Sequence, residues 1–89
     1  MYTLKFNGLG DKGILYLSKI LRDNIAIVDL NLSHNFISVF GARELLNMFK
    51  DNRTINYLNL EGNLLNDESA GLFAEIISNT GQIRTLNLA

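Results

Sequence analysis

The strongest constraint on this chain is that it repeats every 28 residues. Asn7, Asn35 and Asn63 mark the repeat. The stretches Ile27-Val28-Asp29-Leu30-Asn31-Leu32-Ser33-His34-Asn35 and Ile55-Asn56-Tyr57-Leu58-Asn59-Leu60-Glu61-Gly62-Asn63 share one pattern, in which an isoleucine is followed by L-x-L-x-x-N. A period in this range marks stacked units, none of which buries its apolar face alone. The units run over about 1–26, 27–54 and 55–82, and residues 83–89 begin a fourth, with Ile83, Leu86 and Leu88 in the columns of Ile55, Leu58 and Leu60. The whole chain, 1–89, reads as a single array.

Each unit opens on an alternating stretch. Leu30 and Leu32 point one way, and Asp29, Asn31 and Ser33 the other; Leu58 and Leu60 alternate likewise with Tyr57, Asn59 and Glu61. Period two over about five residues is a half-buried strand. Tyr2 and Leu4 are the expected pair in the first unit, with Met1 and Ala89 falling in strand columns at the two ends. Helical spacing follows: Ile14, Leu17, Ile20 and Leu21; Ala42, Leu45, Met48 and Phe49; Ala70, Phe73, Ile76 and Ile77. These are stripes on one helix face. Gly10, Ser38 and Asn66 stand where N-caps belong. Helix ends are expected near Asn24, Asn52 and Gly81, residue types that tolerate a left-handed terminus.

Strand, helix and next strand in register make a parallel sheet with right-handed crossovers. Helices are wider than strands, so stacking curves the array with the sheet inside. The expected fold is therefore an α/β solenoid, a right-handed β-α superhelix with a parallel sheet on the concave face and helices on the convex face. The concave face is left polar and open.

At this point the residues resemble a known family. The L-x-x-L-x-L-x-x-N pattern, an apolar residue two positions on (Ile37, Leu65), a glycine six on (Gly13, Gly41) and then a helix are similar to the leucine-rich repeat. Repeats of this length with full helices resemble its ribonuclease-inhibitor-like subclass, which takes in the ribonuclease inhibitor, NOD-like receptors, Ran GTPase-activating proteins and the tropomodulin group. Ser69 departs from the glycine column, so the third helix is expected to begin differently. The resemblance implies that Asn7, Asn35 and Asn63 turn inward and bond the backbone of neighbouring turns. A buried bend leaves N–H and C=O groups that need such partners.

Composition excludes several functions. Eight Lys and Arg against nine Asp and Glu leave a net charge of −1, with no basic tract for nucleic acid or an anionic membrane. No apolar run approaches a membrane span. Cysteine is absent, which removes disulfides and thiolate zinc sites. With no secretion signal at the N-terminus, the expected setting is cytoplasmic. The sequons at Asn31 and Asn52 read as chance in an asparagine-rich chain. Catalytic, metal and cofactor sites are not expected. Ser33, His34 and Asp29 would have to converge for nucleophilic catalysis, and alternation places His34 on the opposite side. No glycine-rich loop precedes a Lys-Ser/Thr pair, so no phosphate cradle is expected.

Function then falls to the open sheet face. Partner contacts are expected from Asp29, Asn31, Ser33, Tyr57, Asn59 and Glu61, with Tyr57 as an aromatic anchor. Phe36 and Leu64, just past the strand ends, could lie under a loop or in solvent. The chain reads as a non-catalytic scaffold binding another protein. The alternative is part of a GTPase-activating or actin-regulating leucine-rich-repeat protein. Both ends would bring apolar strand edges to solvent, which suggests a piece of a longer array; the alternative there is end-to-end self-association.

Overall fold

Leu30, Leu32, Leu58 and Leu60 gain about 1.5–3 kcal/mol each by leaving water, and their burial decides the architecture. In the computed structural model none of the four is more than 3% exposed. The structure describes residues 2–80 and 83–88, with side chains for all of these except 2 and 76–80. The elements are β1 (Tyr2–Lys5), α1 (Gly10–Leu21), β2 (Ile27–Asn31), α2 (Val39–Phe49), β3 (Tyr57–Asn59), α3 (Asp67–Thr80) and β4 (Thr85–Asn87). The strands form one parallel sheet in the order β1-β2-β3-β4. α1 packs on α2, and α2 on α3. The strand leucines and the buried helix residues share one core, among them Ile14, Leu17, Leu45, Phe49 and Phe73. The expected places of Met1 and Ala89, the helix stop at Gly81 and the inward facing of Ile76 and Ile77 lie outside the described residues.

The period holds between the later strands, where Leu30 pairs with Leu58 and Leu58 with Leu86. The first strand departs from it. Thr3 pairs with Asp29, Leu4 with Leu30 and Lys5 with Asn31, two residues short of the repeat. A slip of two keeps every side chain on its face, so alternation cannot detect it. Leu4 and Phe6 therefore pack against the core, two positions later than the repeat predicts; the side chain of Tyr2 lies outside the described residues. Gly8 and Gly10, both at positive φ, make the shortened connection to α1.

The asparagine column splits accordingly. Asn35 is fully buried. Its Nδ2 donates to the carbonyls of Phe6 (2.8 Å) and Ser33 (3.1 Å), and its Oδ1 accepts from the Leu9 N–H at 3.0 Å. Asn63 repeats the arrangement one unit on, donating to Leu32 and Leu60 and accepting from the Asn35 and Ile37 N–H groups. Asn7, displaced by the slip, is exposed.

A second ladder runs along the opposite edge, where left-handed helix ends were expected. Neither Asn24 nor Asn52 has a positive φ. Asn52 is 1% exposed, and its Nδ2 donates to the carbonyls of Leu21 (2.7 Å) and Asn24 (3.1 Å). Its Oδ1 accepts from the Thr54 and Ile55 N–H groups, as Asn24 Oδ1 does from Ala26 and Ile27. Both side chains close their own helix-to-strand turn, and that of Asn52 also staples its unit to the one before.

Helix starts show a coupled exchange. Asp11, in the first turn of α1, accepts from the N–H groups of Ser38 (2.8 Å) and Gly41 (3.1 Å) and from the Ser38 hydroxyl. It thus caps α2 from the neighbouring helix, and a Cβ on Gly41 would overlap its carboxylate. One repeat later Asp11 is replaced by Val39, and Gly41 by Ser69. Asn66 then caps α3 itself, accepting from the Ser69 N–H and hydroxyl. α3 begins at Asp67, one full repeat after α2 begins at Val39, so the departure at Ser69 changes how the helix is capped and not where it starts. At α1 no side chain caps the helix, and Gly10 is its first residue rather than its cap.

Helix faces sort into three columns. Leu17, Leu45 and Phe73 face the sheet and are buried in all three helices. Ile14 and Ala42, and likewise Ser18 and Leu46, are buried, while their α3 counterparts Ala70 and Ala74 are exposed. Conversely Met48 is 0% exposed, while its α1 counterpart Ile20 is 68% exposed. Ile20 and Ala70 were expected inside; they are not, because a periodic stripe is covered only where a neighbouring helix packs on it.

Candidate binding face and its rim

On the side of the sheet away from the core, residues line up in rows. Asp29, Tyr57 and Thr85 are register partners, as are Asn31, Asn59 and Asn87. Tyr57 is 37% exposed, Glu61 is exposed, and Asp29, Asn31 and Asn59 are half-buried. The described ion pairs are Arg22–Asp51 and Arg43–Glu68, which leaves Asp29 and Lys5, the register partner of Asn31, as the charges of the strands on this face, with Glu61 just past the end of β3.

The asparagines of the face also have internal work. Asn31 Oδ1 accepts from the Ser33 N–H (3.0 Å) and hydroxyl (2.7 Å), and Asn59 Oδ1 accepts from the Glu61 N–H (2.9 Å). Each closes a turn of the kind asparagine favours where the chain leaves a strand. Their Nδ2 groups make no hydrogen bond among the described residues and remain available as donors. Ser33 was expected on the open face. It is buried, its hydroxyl held by Asn31 and its carbonyl by Asn35, because the strand has already ended at Asn31. His34 likewise does not point to the far side of the sheet; it is exposed in a turn at φ 57°.

Past the strand ends lies an apolar rim that alternation left open. Phe36, Leu64 and the nearby Phe40 are all more than 60% exposed. Phe36 sits at φ 57°, a left-handed conformation that costs a bulky L-residue roughly 1–2 kcal/mol. No burial offsets that strain. Residues held in this way concentrate at functional sites. The two-residue slip sets Gly8 beside His34 and Gly10 beside Phe36, and all four are at positive φ.

Together the face and rim offer one phenol, two carboxylates, one ammonium, amide donors and an apolar border. Among the described residues no group of three or more His, Cys, Asp or Glu is placed to hold a metal, and no helix is long and apolar enough to cross a membrane.

Comparison with known proteins adds the fold. No family model matches the chain. Among solved structures, actin-binding site 2 of leiomodin-1 superposes with a TM-score of 0.80 at 19% identity, over 88% of this chain and 46% of that one. The tropomodulin C-terminal domain of Caenorhabditis elegans superposes with a TM-score of 0.83 at 20% identity, over 97% of this chain and 53% of that one. The likeness is one of fold. The chain spans about half the length of the solved structures it matches.

Proposed function

We propose that this chain is a leucine-rich-repeat solenoid of the ribonuclease-inhibitor-like kind, its sheet concave, acting as a non-catalytic protein-binding module of an actin-regulating protein. The observation that carries the reading is the likeness to a leiomodin-1 domain named for binding actin. The polar, tyrosine-bearing sheet face and the strained, exposed Phe36 give that role a surface. Contacts come from Asp29, Asn31, Tyr57, Asn59 and Glu61, with Ser33 holding Asn31 in place and Phe36 and Leu64 at the border. An actin-directed role places the chain in the cytoplasm. Part of a longer array, as the length of the matched structures supports, it would present this face as one stretch of a larger one.

Co-sedimentation with actin filaments, paired with a monomeric-actin binding assay, tests this. Wild-type chain is expected in complex with one of the two. Tyr57→Ala is expected to weaken it about tenfold, the lower range for an aromatic anchor. Absence of binding to both forms of actin would remove the actin reading. Equal affinity of wild type and Tyr57→Ala would move the site off this face. The second reading, a GTPase-activating fragment, rests on the repeat resemblance alone, and a GTP-hydrolysis assay with small GTPases decides it.

A further inference from the structure

The open face of the sheet keeps its donors in one row and its acids to either side. Lys5, Asn31 and Asn59 are successive register partners on β1, β2 and β3, about 4.8 Å apart from strand to strand. The Oδ1 atoms of Asn31 and Asn59 are engaged in their own turns, at the Ser33 N–H and hydroxyl and at the Glu61 N–H. Those bonds hold each carboxamide plane and turn Nδ2 away from them. Among the described residues the one buried side-chain polar atom without a partner is Ser18 Oγ, so both Nδ2 groups reach solvent. Lys5 is exposed and enters no described ion pair. The row therefore presents donors and no acceptor. Asp29 lies two residues before Asn31, roughly 6.6 Å along β2, and Glu61 two residues after Asn59. Neither carboxylate has a described ion pair.

These charges select the occupant. A free carboxylate seated on the row would meet one ammonium and two carboxylates. A main-chain carbonyl carries no full charge. The last four carbonyls of an α-helix have no partner within the helix and together bear about half a negative charge, and Lys and Arg are favoured in that turn. Such an end has acceptors for the asparagine row and cations for Asp29 and Glu61.

We infer that the sheet face receives the C-terminal turn of a partner α-helix whose last turn is basic. Its terminal carbonyls accept from Asn31 Nδ2, Asn59 Nδ2 and the Lys5 ammonium, and its Lys or Arg side chains pair with Asp29 and Glu61. The inference rests on the reading of this face as a protein-binding surface, and does not require the partner to be actin. Further units stacked beyond β1 or β4 would lengthen the face and leave it open.

Nuclear magnetic resonance of the 89-residue chain tests it, with the side-chain amide signals of Asn31 and Asn59 as reporters. The probe is an alanine-based helical peptide, amidated at its C-terminus, with lysines in its last turn, added up to millimolar concentration. The reporter protons are expected to move downfield as they gain an acceptor. The same peptide with glutamates in place of the lysines, and sodium acetate, are expected to leave them in place. Asp29→Asn removes a carboxylate that holds no described hydrogen bond, so the urea midpoint is expected to stay put while the lysine peptide binds about threefold more weakly. No shift with the lysine peptide overturns the inference. So does an equal shift from the glutamate peptide or acetate, or tighter binding by Asp29→Asn, each of which would mean an anion site. Actin co-sedimentation is read separately. A chain that binds actin and ignores the peptide loses this inference alone, and one that answers the peptide and not actin loses only the actin reading.

Discussion

Replacing Asn35 by alanine tests the core of the structural argument. The side chain is fully buried and makes three hydrogen bonds, to Phe6 O, Ser33 O and Leu9 N. Alanine leaves all three backbone groups behind. A buried group left without its partner costs about 1–3 kcal/mol. Water can reach this turn from the side of Asn7 and Gly8, both exposed, which favours the low end. About 1 kcal/mol for each group gives roughly 3 kcal/mol in all. A chain of 89 residues has roughly 4–13 kcal/mol to lose. With a urea slope of about 1 kcal/mol per M for a domain this small, the midpoint is expected to fall by about 3 M. Asn7→Ala is the internal control: the same residue type at the same repeat position, but exposed, with an expected change within about 0.5 kcal/mol. Asn35→Asp keeps the shape but turns a carboxylate toward two carbonyl oxygens, and is expected to be no milder than alanine. Equal midpoints for Asn35→Ala and Asn7→Ala would refute both the ladder and the two-residue slip that separates these positions.

Gly41→Ala is expected to lower stability by about 2 kcal/mol in urea titration, since its Cβ would overlap Asp11 and crowd Ile37; in a double-mutant cycle with Asp11→Ala the two losses are expected to be less than additive. Ser18 is 2% exposed and its hydroxyl has no hydrogen-bond partner among the described residues, so Ser18→Ala is expected to leave the melting temperature unchanged or to raise stability by up to about 1 kcal/mol. Phe36→Gly relieves a left-handed backbone but loosens the unfolded chain, so thermal stability is expected to stay within about 1 kcal/mol of wild type. Partner affinity is expected to fall in the same variant, which separates a binding residue from a structural one.

Much of the fold was legible because leucine spacing reports faces directly. Leu30, Leu58 and Leu86 share a column in the sequence and a register in the sheet. What periodicity cannot report is a displacement that preserves it. The two-residue slip of β1 leaves inward and outward residues where they were, and only the shorter, glycine-bearing loop before α1 betrays it. Nor does a stripe say which helix has a neighbour, which is why Ile20 and Ala70 were misplaced. Asn24 and Asn52 sit a full repeat apart, as Asn35 and Asn63 do, and that spacing was readable as a second ladder. Their position at helix ends drew the commoner reading of a left-handed terminus. On the open sheet face, Ser33 was assigned by extrapolating alternation past Asn31, where the Asn31 turn had already ended it. Phe36 and Leu64 gave no signal of exposure, since an apolar residue after a strand is as often a lid on the core.

The principal contacts join each element to its sequence neighbour, α1 to α2 to α3 and each strand to the next. Such a molecule has no keystone. Loss of order should travel as a front, entering from either flank and meeting its greatest resistance at the middle unit, whose asparagines are bolted on both sides. Amide protons of Leu30 and Leu45 would then be the last to trade with solvent, and a pulling force would peel the chain one unit at a time.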